Sequence, residues 1–350
     1  MKHIHSNSLC RLGFLQIFMW LALALASALL VPSAAYAQGQ TQVIVSGVGY
    51  LQYVYQLKDS ANHTNSFDVT RAYVNLIGKF AGGVGARVTL DVNRPAGDNS
   101  LRYRLKYAYA TYTPTGSPLT FKMGMLHTPW VDFEETLWEY RMQGTIALDR
   151  NAYLTSSDLG FGVDGKWNND AVNAQFAFVN GESYSGGPGD QRKDLEGRVS
   201  VRVMGTNDSS RVGGLRLSGY AGYGKPTTGG QRNRFLGMVS YKTKQLTLAG
   251  EFATTKDSVT ATPTPSTTGR VITAFGVYKI PSSKVALIAR VDIVDPNTSA
   301  ANDKQTRIIG GVSYQLSPNL RLLLDIDNLS YEGTPTPSQE AVRCQGRFQT

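Results

Sequence analysis

The chain is poor in the residues that most site chemistry needs. Its 350 residues include two cysteines and four histidines. Cys10 lies in a leader-like stretch, which leaves Cys344 alone and excludes an internal disulfide framework even in an oxidising compartment. His63 and His127, the two histidines beyond that stretch, both sit in loop-like sequence, so Cys/His zinc frameworks and a His-Glu-x-x-His helix are excluded. No glycine-rich phosphate loop follows a strand, and no Gly-x-Ser-x-Gly elbow occurs. Beyond the leader no run of 18 apolar residues exists, so no transmembrane helix is expected.

The leader itself is well marked. Lys2 and Arg11 are basic, residues 17–31 are almost wholly apolar, and Ala35-Tyr36-Ala37 has the small-x-small form of a cleavage site. About fifteen apolar residues are too few to span a bilayer comfortably, so 1–37 reads as a cleaved signal peptide, long at its basic end. Removing those 37 residues leaves 313. Lys2 and Arg11 go with them and no acid does, so a formal charge of +9 becomes +7.

What the chain does have is period-two alternation in blocks of about ten residues, separated by Gly, Pro, Asn, Asp and Ser. In 101–109, Leu101, Tyr103, Leu105, Tyr107 and Tyr109 fall on one face of a strand and Arg102, Arg104 and Lys106 on the other. The pattern recurs around 85–92, 119–125, 195–203, 215–218 and 320–327. Blocks at 235–241 and 270–278 are apolar on both faces, and their phase is ambiguous. Strand starts fall near Thr41, Ser66, Val84, Leu101, Leu119, Asp158, Ala171 and Asp194, then near Gly213, Asn233, Gln245, Arg270, Lys284, Gln305, Asn319 and Ser338, sixteen in all.

Connections alternate long and short, with 205–211 as the exception. A soluble sandwich has no reason to do this. An outer-membrane barrel does, because turns at one rim are short and loops at the other are long. Residues 38–350 are therefore expected to form one all-β transmembrane antiparallel barrel of about sixteen strands. Phe80, Trp167, Tyr241 and Tyr314 fall at strand ends beside short turns, and Tyr53, Tyr55, Phe178 and Tyr223 beside long loops, as interfacial girdles would.

With lipid outside, the polar face lines a water-filled lumen. The expected lining cations are Arg71, Lys79, Arg87, Arg102, Arg104, Lys106, Lys122, Arg198, Arg202 and Arg216; Asp91 and Glu196 are the chief acids among them. Such a wall attracts anions, and guanidinium groups match phosphate and carboxylate geometry. Arg102, Arg104 and Lys106 would descend one strand as a staircase.

The third long connection, 127–157, is expected to fold inward and narrow the pore. Within it 132–140 has helical spacing: Trp130, Phe133, Leu137 and Trp138 share a face, and Asp132 is a candidate cap. Asp132, Glu134, Glu135 and Glu139 would face the basic wall, which leaves both anion preference and weak mixed selectivity open. As a metal cluster these four lack histidine and a fixed spacing.

Three blocks carry a resemblance: residues 67–80 (FDVTRAYVNLIGKF), 107–112 (YAYATY) and 121–130 (FKMGMLHTPW). They resemble the phosphate-selective porins O and P, chiefly over 66–181. The resemblance implies a sixteen-stranded trimer in which an arginine ladder, placed on Arg102, Arg104 and Lys106, leads to a basic constriction. The acidic third loop, with only Arg141 and Arg150, departs from what a phosphate site would want. The end, Arg347-Phe348-Gln349-Thr350, departs from the usual aromatic terminus, which points to a truncated product or a short last strand.

The expected function is passive diffusion of small hydrophilic, preferably anionic solutes through the outer membrane of a Gram-negative-type bacterium. Expected partners are those solutes, outer-membrane lipid and two further copies of the chain; no enzyme activity, cofactor, metal or nucleic acid is implied. A barrel lipase would need an outward Ser/His pair, and neither His63 nor His127 is expected on a strand face. A structural or adhesive barrel, binding partners through loops such as the Thr/Pro-rich 256–269, is the alternative.

Overall fold

A computed structural model describes residues 41–59, 64–95, 97–187, 189–226, 230–258, 266–333 and 339–350. The expected leader at 1–37 and His63 lie outside the described residues, as do residues 259–265 of the tract at 256–269. Sixteen antiparallel strands close on themselves, each pairing with its sequence neighbours and β1 pairing with β16. They are β1 Gln42–Gln56, β2 Asn65–Lys79, β3 Val84–Asn93, β4 Arg102–Tyr112, β5 Leu119–His127, β6 Ser157–Trp167, β7 Val172–Val179 and β8 Asp194–Met204. The second half comprises β9 Gly214–Gly224, β10 Gln231–Lys242, β11 Leu246–Ser258, β12 Thr267–Lys279, β13 Val285–Asp295, β14 Gln305–Ser317, β15 Leu320–Tyr331 and β16 Gln339–Gln349. Closure leaves no unpaired edge, the condition for a sheet to cross a bilayer.

Long connections all leave odd-numbered strands and short ones even-numbered strands; 205–213 is again the long member of the short rim. The tightest chemistry there is Asn168, Asn169 and Asp170, three successive residues at φ of 51°, 52° and 63°. Asn and Asp tolerate that left-handed region better than other side chains. β16 is not short: it pairs along its length with both β15 and β1. The girdle aromatics are exposed or half-exposed on the outer face, where a bilayer would lie.

One phase differs from the simple alternation. Between β3 and β4 the register passes from Thr89↔Tyr107 to Leu90↔Leu105, so Lys106 is an extra residue in a β-bulge. Leu101, Tyr103 and Leu105 stay on the outer face, whereas Tyr107 is buried and, like Tyr109, turns to the inner side beside His127. A binary pattern cannot register one inserted residue, because both sides of the bulge still alternate. His127 is likewise not a loop residue; it closes β5 and pairs with Ser157.

The connection between β5 and β6 carries two short helices, α1 Val131–Trp138 and α2 Ala147–Arg150. Trp130, Phe133, Leu137 and Trp138 do share one face of α1 and are wholly buried. Asp132 is not the cap, which is Trp130; it lies with Glu134 in the first turn, where carboxylates suit the helix dipole. The buried side of this segment packs on Tyr220 of β9, Leu236 and Met238 of β10, Ala249 and Ala253 of β11, Phe275 of β12, Ile288 of β13 and Leu323 of β15. This resolves the blocks that were apolar on both faces: Phe235 and Val239 face outward, while Leu236 and Met238 lie under the segment.

Polar ties fix the same contact. The Trp130 indole donates to Glu251 at 3.0 Å, Tyr140 shares a 2.6 Å hydrogen bond with Ser313, Gln143 donates to Asp327 at 3.1 Å and Arg150 pairs with Asp292 at 3.2 Å. Removing the largest anchor should loosen this segment locally. Trp138→Ala is expected to cost about 3–5 kcal/mol of local packing. Limited proteolysis should then cut within 128–156 while the barrel keeps its thermal transition; an unchanged cleavage pattern would contradict this anchoring.

Candidate functional site

The strands β1–β4, β15 and β16 face the exposed side of α1 across a cavity of about 380 Å³. Its cations are Arg87, Lys106, Arg141, Arg321 and Arg347, and its carboxylates Asp132, Glu135 and Glu139. Each carboxylate is already matched. Asp132 pairs with Arg211 at 2.7 Å, Glu135 with Arg141 at 2.5 Å, and Glu139 with both Lys242 and, at 2.7 Å, Lys279. Burial pushes the Asp132 carboxyl up, but Arg211 and His127 outweigh it and hold it below the usual range. Lys242 and Lys279 outweigh burial in the same way at Glu139, so both groups stay ionised.

The other cations have a different environment. Arg87 donates to Thr89 at 2.9 Å and Asn75 at 3.0 Å, and its Nη1 lies 3.2 Å from His127 Nε2. Lys106 donates to the Tyr73 hydroxyl at 3.2 Å among the rings of Tyr73, Tyr107 and Tyr184. Arg321 donates to Gln315 at 2.9 Å, and Arg347 to Gln349. Among the described residues, none of Arg87, Lys106, Arg321 and Arg347 has a carboxylate oxygen within 4.0 Å.

A closed sixteen-stranded barrel with a polar, charge-lined interior is porin architecture, and residues 22–334 match the family model described as Gram-negative porin. The chain belongs to the Gram-negative porin family. Among solved structures, an anion-selective porin from Comamonas acidovorans superposes with a TM-score of 0.68 at 14% identity, covering 89% of this chain and 100% of that one. OmpT of Vibrio cholerae in its trimer form gives 0.65 at 11% identity over 89% and 100%. Salmonella typhi OmpF, in complex with daunomycin, gives 0.64 at 13% identity over 88% and 97%. At these identities the likeness is one of fold. No curated protein sequence matches the chain. Family and fold together make this an outer-membrane porin.

In this porin the ten cations expected along the lumen have several fates. Arg87 and Lys106 line the cavity, whereas Arg71 is not among its lining residues and pairs with Asp91 at 2.7 Å. Arg102 is exposed at the long-loop rim and paired with Asp98. Arg104 donates to the Tyr184 hydroxyl at 2.9 Å and to Ser185 at 2.8 Å. The three therefore do not form an open staircase. Lys79 is exposed at the short rim, Lys122 pairs with Asp164, and Arg202 donates to the Asn169 carbonyl at 2.9 Å.

Two cations differ outright from expectation. Arg198 is buried, donating to the Pro129 carbonyl at 2.9 Å and to Asn173, with Phe133 stacked 4.3 Å away. Arg216 is wholly buried and donates to the carbonyls of Gly213 and Asp170. Each closes a backbone gap rather than facing open space, because a guanidinium carries five donors and carbonyls beyond a strand end lack partners. Glu134 also departs: it lies under α1, 3.3 Å from Arg290, with its oxygen accepting from the Trp130 indole. The remaining acids, Asp132, Glu135 and Glu139, border the cavity.

Arg321 falls on the polar face of the alternating block at 320–327, which it shares with the acidic Asp325 and Asp327. Arg347 falls in a terminal block, 339–349, with little alternation. Both are legible only once β15 pairs with β16 and sets them opposite each other. In a Cys344→Ser background, Arg321→Cys and Arg347→Cys should react with a bulky anionic thiol reagent at least about tenfold faster than Arg198→Cys or Arg216→Cys, since reactivity follows exposure. Equal rates, read as loss of channel current, would contradict these placements.

Proposed function

We propose that this porin is a passive channel for small hydrophilic solutes that favours anions, and that 127–157 folds into the lumen to narrow it. The observation that carries the reading is the charge state of the cavity beside α1. Its three carboxylates are already ion-paired, while four cations on and around the facing wall have no carboxylate partner among the described residues. At physiological salt the Debye length is about 8 Å, so uncompensated wall charge is felt across so narrow a passage. Guanidinium groups on that wall suit oxyanions. The sequence blocks that resemble the phosphate-selective porins O and P support phosphate as one such anion.

The same reading includes a cleaved leader at 1–37 and a homotrimer. The leader's composition supports the first. The second is supported by the fold shared with OmpT, whose solved structure is a trimer form. Contact with membrane lipid is supported by the apolar outer face, with residues such as Val45, Leu217, Val239 and Leu324 exposed.

Planar-bilayer recording tests this directly. The purified protein should conduct, and the reversal potential in a potassium chloride gradient should report anion preference. Arg87→Gln combined with Arg321→Gln should shift reversal toward cations more than Arg102→Gln alone, because Arg102 already has Asp98. A protein without current would overturn the channel reading; a cation-preferring wild type would overturn the anion reading.

A further inference from the structure

The outer face of the barrel is not uniformly apolar. Near the long-loop end of β11 and β12, Glu251, Ala253, Thr255, Val271 and Thr273 are buried against the interior. The alternate positions therefore point outward, and they include Lys256 and Arg270, both exposed, above the exposed Phe252 and Ile272. The register sets Lys256 opposite Thr268 and Thr254 opposite Arg270, so the two cations are diagonal neighbours on adjacent strands. Among the described residues neither forms an ion pair or a side-chain hydrogen bond; Arg270 has only the Phe252 ring, 5.8 Å from its guanidinium carbon. Asp295, opposite Arg270 in the β12–β13 register, is buried and does not pair with it. Like charges so placed repel, and one shared anion relieves both.

Further down the same strands the surface is hollow. Phe252 pairs with Ile272 in a single row below the cations. The next row runs from Val239 through Gly250, Ala274 and Val291 to Ile308, and these residues line an apolar groove of about 670 Å³, within the size range of ligand clefts. A Cβ at Gly250 would meet no atom within 4 Å, and its φ is not left-handed. Neither packing nor backbone geometry calls for glycine there, and its effect is to keep the outer wall concave. Along β12 the path from Arg270 to Ala274 and Gly276 is roughly 13–20 Å at about 3.3 Å per residue. With strands tilted about 35–45°, that is roughly 10–15 Å of depth. One leaflet of a hydrocarbon core about 30 Å thick has the same depth.

We propose that this face binds one anionic membrane lipid of the leaflet at the long-loop rim, its headgroup phosphate held by Lys256 and Arg270 and one acyl chain laid past Phe252 and Ile272 into the groove. An ammonium and a guanidinium both donate to phosphate oxygens. An acyl chain in a concave site has atoms on more than one side, and so gains more dispersion contact than against a convex wall. The site lies outside the pore and does not depend on which ions pass through it.

Native mass spectrometry of the full chain released from detergent micelles tests this, with phosphatidylglycerol and phosphatidylcholine of identical long acyl chains as probes. Wild type should retain one phosphatidylglycerol per chain at about tenfold lower lipid concentration than phosphatidylcholine, the worth of one charge-assisted bond. Lys256→Gln with Arg270→Gln should abolish that difference, whereas Lys244→Gln, in the turn at the short rim, should keep it. Gly250→Leu with Ala274→Leu, which fills the groove, should weaken retention of both lipids. An unchanged thermal transition shows that each variant's barrel is intact. Dihexanoyl phosphatidylglycerol, whose chains are too short to fill the groove, tests the same point on wild type and should be retained more weakly than the long-chain lipid. Equal retention of the two long-chain lipids by wild type, or displacement of phosphatidylglycerol by equimolar inorganic phosphate, overturns the site. So does an oligomer that falls apart in the groove variant while lipid retention is unchanged, since a neighbouring copy would then be what fills the groove.

Discussion

The buried face of α1 sets the organisation of the channel. Trp130, Phe133, Leu137 and Trp138 are wholly inaccessible, and each such side chain gains about 1.5–3 kcal/mol or more from burial. They find that burial only against an inner wall that is itself apolar, supplied by β9–β13 and β15. A segment packed on one wall cannot line the other. The rest of the wall, β1–β4, β16 and the Arg321 end of β15, is left facing a cavity.

That one-sided packing also disposes of the acids. A carboxylate carried into a low-dielectric contact must be paired, and removing a partner from such a pair is more costly than forming it is rewarding. Glu134 meets Arg290, Glu139 meets Lys242 and Lys279, and Asp132 meets Arg211. The acidity that argued against an anion path is therefore used to dock α1 and its flanks. Among the described residues, cations across the cavity keep only neutral partners, such as Asn75, Thr89, Tyr73 and Gln315. A local count of charges would miss this, since it weighs paired and unpaired groups alike.

Strand number and strand starts were legible because lipid and water impose a two-residue period on any transmembrane strand, and that period survives without knowledge of neighbours. The start expected at Val84 is observed there, and the one expected at Arg270 lies three residues from Thr267. The helix at 131–138 was legible through its spacing. The site was legible only in part, since alternation says which way a side chain points but not what it meets. Arg198 and Arg216 point inward as expected and are consumed by carbonyls contributed from distant sequence. The register shift at Lys106 was invisible for another reason: Leu105 and Tyr107 are both acceptable on either face, so hydrophobicity carried no information about the change of phase.

The shift has consequences beyond phase. By turning Tyr107 and Tyr109 inward it builds the aromatic surround of His127, with Tyr107 stacked at 3.9 Å and Tyr109 edge-on at 5.6 Å. That ring in turn meets Arg87, whose other nitrogens are held by Asn75 and Thr89. Lys106, the inserted residue, is held against Tyr73 rather than extended into solvent. Fixing a guanidinium and an ammonium this way removes their rotamer freedom before any solute arrives. A cation so held contributes a standing field at a defined place, whereas a flexible side chain would spread its charge along the wall. The pattern fails at both ends of this arrangement, unseen in the bulged strand and ambiguous in the strands apolar on both faces. Each was a place where the inner surface meets protein instead of water, and that is why a pattern built on lipid outside and water inside failed there.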